Sequence, residues 1–417
     1  MNPQTDIISP LVNGSTKTKK IPKPKQTLIT AKKKSKLPAN MSRKIRLQPN
    51  KETYDKLLKW FGCVRKTYNW TLDNLKKNKK LPVNFIWLRN RFVNECNIPR
   101  EFRYLLNTPK HIREGAIEDL VKGYKLNFAK GEHFEMKFRK RKDYQSITIP
   151  KESIKLIKEN VGLKMYPTYL QNFIKMNTLR CSEVQYDCRM VLDKLGRIYL
   201  YVPMHAKVQE NQLDKTSWAG LDPGVRTFMT LYSPQGLAFK YAVNDNVRLY
   251  RLCRHLDSLV SRTSTLTGRK KSRSQRAEQR LRYRIKHLVN ECHWKVIHHM
   301  LTRFNNIVIS PFEVKQMVKR KSRVLNNKTV RSMYNWSHYT FRMRLMDRAK
   351  KLGANVVVNT EEYTTKTCTL CGHINDVGSK KVIHCKNCHH LVDRDVNGSR
   401  NLFLKTCSIV QAMDLPR

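Results

Sequence analysis

The sequence predicts a multidomain α/β protein, and three observations carry that prediction. Apolar spacing in the first third is helical. It then changes to a period of two over residues 133–204, and the second half alternates apolar strands with helices. The chain has 417 residues and is 40% hydrophobic, enough for several domains with real cores.

Taken in order, RKIRL (43–47) is a short alternating strand. Asn50 is placed to cap a helix running through Asn78. Leu57, Phe61, Val64, Tyr68, Leu72 and Leu75 recur at spacings of three and four and give that helix one apolar face. Helical patterning continues with breaks to about Lys130, and its aromatic residues read as core. Phe134, Met136 and Phe138 then alternate with charged residues, and SITIP, GLKMYP, CRMVLD and RIYLYVP read as strands. The last two are joined by a turn at Lys194-Leu195-Gly196. A β-barrel interrupted by a helical domain fits this half. RKRK (139–142), between strands, is a candidate phosphate contact.

The second half opens with WAGLDPGVRTFMTLYSPQGLAFKY (218–241), which reads as three strands joined by tight turns, the second at Pro234-Gln235-Gly236. A basic helical region follows over 245–302, broken near Thr267-Gly268. NNIVIS (305–310) is a buried strand, then come a basic loop (319–328), a helix (332–352) and a second buried strand, ANVVVNT (354–360). A cysteine-rich insertion and a last helix from about Val396 complete the pattern.

Charge narrows the function. Lys+Arg number 83 against 32 Asp+Glu, a formal net charge of +51. Solubility needs a net charge of only about 2–8 in a small domain. So large a charge repels itself when compact, and a polyanion relieves it; phosphate backbones are the usual partner. A membrane surface is the other candidate polyanion. There is no amphipathic helix with a clean basic face, no lipidation signal and no apolar run near the ~18 residues of a membrane span. The opening MNPQTDIISPLVNG lacks the charged start and apolar stretch of a signal peptide. Residues 1–41 read as a disordered basic tail. Its lysine runs KTKKIPKPK and AKKKSK suit nuclear import, or simply help hold nucleic acid.

Eleven cysteines without a secretory signal point to a reducing compartment, where clustered cysteines bind metal more often than they pair. Cys368-x-x-Cys371 and Cys385-x-x-Cys388 are two such knuckles. Zn²⁺ wants four soft ligands in a tetrahedron, and each C-x-x-C turn supplies two thiolates. Gly372 follows the first knuckle where its turn accepts positive φ. His373, His384, His389 and His390 lie close enough in sequence to replace a thiolate, but Cys₄ is the simpler set. With no open coordination position, the site is expected to be structural.

In so basic a chain an acidic residue on an apolar strand stands out. Asp222 ends the strand WAGLD, and Asp395 lies in LVDRDVNGSRN entering the last helix. Taken singly, each is explained as well by a turn or a helix cap. The order GLDPGVRTF, apolar strand, YTTKTCTLCG, C-x-x-C, DRDVNGSRNL resembles the TnpB transposon-associated nucleases, and looks closest to their Fanzor relatives from eukaryotes and large viruses. The resemblance runs from about Ser42 to Leu404. It includes RKIRLQPNKETYDKLLKWFGCVRKTYNW and VRSMYNWSHYTFRMRL.

The resemblance implies an RNase H-like (RuvC) nuclease core over 216–363 and 392–417, with a zinc finger inserted at 364–391. It implies a wedge β-barrel over 42–50 and 131–215 carrying a helical recognition domain at 51–130. Asp222 matches the family's first catalytic aspartate and Asp395 its last, with Asp393 a weaker substitute. The family's glutamate is missing: its usual place, at the end of the NNIVIS strand, is Ser310. Some relatives carry a substitute just before the zinc knuckle, where this chain has Glu361 and Glu362; Glu361 fits best, and Glu313 is a third choice. The implied activity is RNA-guided DNA cleavage by an Mg²⁺-dependent endonuclease, with Asp222, Glu361 and Asp395 holding a two-metal centre. The implied partners are a guide RNA from the transposon end and target double-stranded DNA, bound by one protein copy, in a nucleus if the host is eukaryotic. Two other readings remain open on sequence alone: a guided binder that no longer cuts, and a protein-only transposase or recombinase.

Overall fold

A computed structural model describes residues 37–131, 133–157, 162–176, 184–208, 211–319, 325–378 and 380–414. The basic tail lies outside them, apart from its last residues, as does half of the 319–328 loop. The chain divides into two units at Pro38, and all the elements of the fold belong to the unit from Ala39 onward.

The first strand, β1 (Met41–Gln48), starts two residues earlier than its apolar pattern suggests. Helix α1 (Lys51–Lys77) begins where predicted: the Asn50 side chain accepts from the Thr53 N–H and occupies one of the orphan donors of the first turn. All six residues of its predicted apolar face are buried. Each such side chain contributes roughly 1.5–3 kcal/mol on burial. Helix α2 (Phe85–Phe92) and helix α3 (Lys110–Phe128) pack against α1.

Residues 133–140 form no strand. Their alternation is real, but the segment runs along the helices: Phe134 packs edge-on to Phe128 and Tyr124, Met136 lies against Gly123, and Lys76 sits 5.0 Å over Phe138. A period of two marks any extended chain with one covered face, whether or not a ladder forms. The RKRK run is partly structural too. Arg139 pairs with Asp119 at 2.8 Å and stacks on Tyr68 at 4.0 Å.

The strand-rich segment gives β2 (Gln145–Ile149), β3 (Ile154–Ile157), β4 (Gly162–Met165), β5 (Ile174–Met176), β6 (Cys188–Leu192) and β7 (Ile198–Met204). With β1 they make an antiparallel sheet in the order β2-β6-β7-β1-β5-β4-β3. The turn between β6 and β7 is the predicted one, with Gly196 at φ +78°. Its core is shared with α1 and α3.

The second half builds β8 (Trp218–Pro223), β9 (Met229–Ser233) and β10 (Leu237–Tyr241), then α4 (Asp245–Thr265) and α5 (Gly268–Leu301), broken where Thr267-Gly268 predicts. Strand β11 (Asn306–Ile309) is wholly buried. A short helix α6 (Val314–Met317) follows. The single helix expected over 332–352 is two helices, α7 (Asn327–Trp336) and α8 (His338–Lys351), because Ser337 is left-handed at φ +52°. Strand β12 (Asn355–Val358) ends the sheet at its edge and is only partly covered, so the expectation of a buried strand fails there. The sheet order is β10-β9-β8-β11-β12, with β8, β11 and β12 parallel; β9 runs antiparallel to β8, and β10 to β9. A small hairpin, β13 (Val382–His384) with β14 (Leu391–Asp393), precedes α9 (Arg394–Asp414).

Helix α9 crosses β8 at close range. A Cβ at Gly220 would overlap the Ser399 carbonyl oxygen and meet Phe403 Cβ at 3.1 Å. Gly220→Ala is expected to destabilise this half by about 1–3 kcal/mol through overpacking. A lower denaturation midpoint with an unchanged slope checks it.

Candidate active site

Parallel strands put their carboxyl ends along one edge of a sheet, where open α/β sheets bind ligands. Asp222 lies at the end of β8, Ser310 directly follows β11, and Glu361 lies three residues past β12. Asp395 comes to the same place on the first turn of α9. Gly398 permits this approach, since a Cβ there would stand 2.9 Å from Asp222 Oδ2.

Asp395 and Glu361 therefore both lie close enough to act on Asp222. Desolvation, reinforced by Asp395 and then Glu361, drives Asp222 well above the ordinary carboxylate range, and Arg394 opposes the shift. Each of the three keeps part of its surface open. Their ligand oxygens do not close into the tight cluster that the four thiolates below form, in which every pair lies within 4.8 Å. A centre that spreads its ligands over two cations about 3.5–4 Å apart has no need of such closeness. Two further carboxylates beside a desolvated Asp222 are a donor set that suits a hard, oxygen-preferring cation such as Mg²⁺.

The other candidate acids stand in different surroundings. Asp393 Oδ1 accepts the Asp395 and Val396 N–H groups at 3.1 and 3.2 Å, so it is the helix cap, and its Oδ2 pairs with Lys240 at 2.6 Å. Glu362 is exposed. Glu313 is occupied by the Gln316 amide beside α6. Ser310 is buried and donates to Glu361 Oε2 at 2.7 Å. The hydroxyl of Ser310 thus holds one oxygen of the Glu361 carboxylate.

Behind the Asp222 turn, Trp336 Nε1 donates to the Val225 carbonyl at 3.0 Å. Phe228 lies stacked between His293 and His338. Burial pushes His293 down to about 4 and His338 to about 3, so both pack as neutral rings.

The four cysteines meet. Cys368 Sγ lies 3.6 Å from Cys388 Sγ, and Cys371 Sγ lies 3.6 Å from Cys385 Sγ. A tetrahedron with Zn–S bonds of about 2.3 Å has edges of about 3.8 Å. Among the described residues no histidine joins this set. Gly372 takes the predicted positive φ (+76°), and His389 does the same service after the second knuckle (+58°). The Cys388 backbone N–H, helped by that of Asn387 and by the Asn375 amide, holds the Cys385 thiol down to about 5 against burial, while burial and the neighbouring thiols push Cys388 up to about 12.

Elsewhere, a cleft of about 990 Å³ lies beside α1 and is lined by Lys56, Lys59, Arg65 and Lys66 with Tyr104 and Tyr169. Among the described residues no helix is long and apolar enough to cross a membrane.

Two sequence families match parts of the chain: a Cas12f1-like TNB domain at residues 338–402 and a helix-turn-helix domain at 40–80. A putative transposase of Paramecium bursaria Chlorella virus 1 is 30% identical over 383 residues, covering 88% of this chain and 87% of the relative. A TnpB-like protein of Acanthamoeba polyphaga mimivirus is 26% identical over 406 residues, covering 90% and 76%. The chain belongs to the TnpB-like transposase family. A CRISPR-associated endodeoxyribonuclease, Cas12f1 of Sulfoacidibacillus thermotolerans, is 28% identical over 75 residues, covering 17% of this TnpB-like chain and 18% of the relative.

Two features of the site are not foreseen from sequence. One is the Ser310–Glu361 bond. The other is a pair of buried amides on α9, Asn397 and Asn401, for which a four-residue spacing is the available signal.

Proposed function

We propose that this protein is an RNA-guided DNA endonuclease with an RNase H-like (RuvC) core. The observation that carries the reading is the convergence of Asp222, Asp395 and Glu361 at the carboxyl ends of parallel strands, with Asp222 lacking adequate counter-charge. Asp222, Asp395 and Glu361 would hold magnesium there, and the metal would supply an activated water and stabilisation of the leaving oxygen. Asp222 and Asp395 supply ligands from a strand and a helix locked together at Gly220 and Gly398. Glu361 supplies the third, oriented by Ser310. The seven-stranded sheet acts as the wedge, residues 51–130 as its helical recognition insertion, and the zinc finger (364–391) as a closed structural site.

The net charge of +51 and the basic cleft beside α1 suit a folded guide RNA and a guide–target heteroduplex, whose pairing supplies the sequence specificity. The lysine runs of the tail suit delivery to a eukaryotic nucleus. A binder that no longer cuts is the competing reading, since the usual glutamate is absent. The bond from Ser310 to Glu361 favours relocation over loss.

The test is to sequence the RNA that copurifies with the protein and challenge the complex with a guide-matched DNA library and Mg²⁺. A discrete RNA with guided cleavage is expected; RNase-insensitive cutting would leave a protein-only enzyme. Glu361→Gln is expected to slow cleavage at least about 100-fold, a loss near 2.7 kcal/mol. Glu362→Gln and Glu313→Gln are expected to cut as the wild type does. Loss of cutting in either of those, with Glu361→Gln active, would move the third carboxylate.

A further inference from the structure

Helix α9 and the segment before the zinc knuckle are joined by two amides. Asn397 Nδ2 donates to the Thr367 carbonyl at 2.8 Å and, more weakly, to those of Thr364 and Thr365 at 3.3 Å. Its Oδ1 accepts the Thr369 N–H at 3.2 Å. One turn later, Asn401 Nδ2 donates to the Thr367 and Thr364 carbonyls at 2.7 and 2.8 Å. Both residues are buried.

The clamped segment is short and internally tied. Thr364 donates through both N–H and Oγ1 to the Glu361 carbonyl, at 3.2 and 2.8 Å. The Lys366 and Thr367 N–H groups both close on the Tyr363 carbonyl. Tyr363 is left-handed at φ +61°, which turns the Thr364, Thr365 and Thr367 carbonyls toward α9. Cys368 follows at once, and its N–H bonds the His373 carbonyl across the first knuckle. A side chain that donates to carbonyls and accepts an N–H at the same time is required here, and an amide alone among the small side chains offers both with two donors.

We propose that Asn397 and Asn401 are positioning residues that bind the zinc knuckle, Glu361 and Asp395 into one rigid unit. The knuckle thereby seats the third carboxylate of the metal centre. This rests on the carboxylate reading above, but the structural link does not.

Two readouts separate the two. The first is backbone hydrogen exchange over residues 361–369, in wild type with zinc, in wild type stripped by a thiol-competing chelator, and in Asn401→Asp and Asn397→Asp. The carboxylate variants present oxygen to the carbonyls they should bond. Exchange over 361–369 is expected to quicken at least about ten-fold in all three perturbed samples, with the sheet of β1–β7 unchanged. The second is Mn²⁺ binding, followed by paramagnetic resonance. A loss of about 10–100-fold in affinity is expected in Asn401→Asp at full zinc content, because groups that orient ligands tune affinity by that much. Unchanged exchange after zinc removal and in Asn401→Asp would overturn the proposal. Wild type that binds no Mn²⁺ would overturn the nuclease reading, and exchange would still decide the link.

Discussion

Asp222→Asn is expected to abolish cleavage and, without metal, to make the protein more stable. The loss of cutting follows from the carboxylate's place between Asp395 and Glu361. Metal catalysis is worth several kcal/mol, so removing one of the proposed ligands costs at least about 10³-fold at about 1.4 kcal/mol per decade. The gain in stability follows from linkage. Unfolded, the group titrates near its ordinary 3.8; folded, it titrates well above. Between these values the folded chain holds a proton that the unfolded chain has lost. The group's contribution to stability is therefore complete below 3.8 and falls away as pH rises through the raised value. At neutral pH the metal-free wild type carries that penalty, and the asparagine variant does not. Melting in EDTA across about pH 4 to 8 checks the sign: the variant should lead the wild type at the alkaline end and converge with it at the acid end. Mg²⁺ should raise the wild-type midpoint and leave the variant's unmoved. Parallel curves would mean that the carboxylate is compensated by some other group.

That one residue shows what a sequence can and cannot carry. Asp222 is legible because it ends an apolar strand, and Asp395 because it sits beside the knuckles in a familiar order. The third carboxylate is a choice among Glu361, Glu362 and Glu313, because a one-dimensional pattern does not say which strand ends share an edge. Pairing of β12 with β11 brings Glu361 to the Ser310 hydroxyl, and the proposal of Glu361 rests on that placement. Asp393 and Asp395 pose the same difficulty: both fit the cap of α9, and only the hydrogen bonds assign that duty to Asp393. The fold follows a similar rule. Long elements with many periods, such as α1, α4 and α5, declare themselves. Strands of three or four residues, such as β3 and β5, offer too few positions to show a period. The break at Ser337 has no glycine or proline to announce it.

Loss of zinc is expected to act locally and still abolish the proposed cleavage. Structural zinc in finger peptides contributes on the order of 10–16 kcal/mol of apparent binding energy, as much as the whole stability of a typical domain. The segment from Cys368 to Asp393 is thinly packed: Val377 and Ile383 are buried, but Leu370, Ile374, Val382 and Leu391 are exposed, and none of its described residues belongs to the cores of the two large sheets. Cys385→Ser removes one of the four clustered thiols and should leave less than one zinc per chain by elemental analysis. Limited proteolysis should then cut between Cys368 and Asp393, while the β1–β7 sheet with α1 and α3 keeps its protection. Cleavage of DNA should fall with the loss of that segment's order, because the carbonyls of Thr364 and Thr367 that α9 grips lead straight into Cys368. Retained cutting in a zinc-free, proteolysed sample would show that Glu361 needs no support from the knuckle. Global unfolding would instead show that the two sheets depend on it, against the separation of their cores.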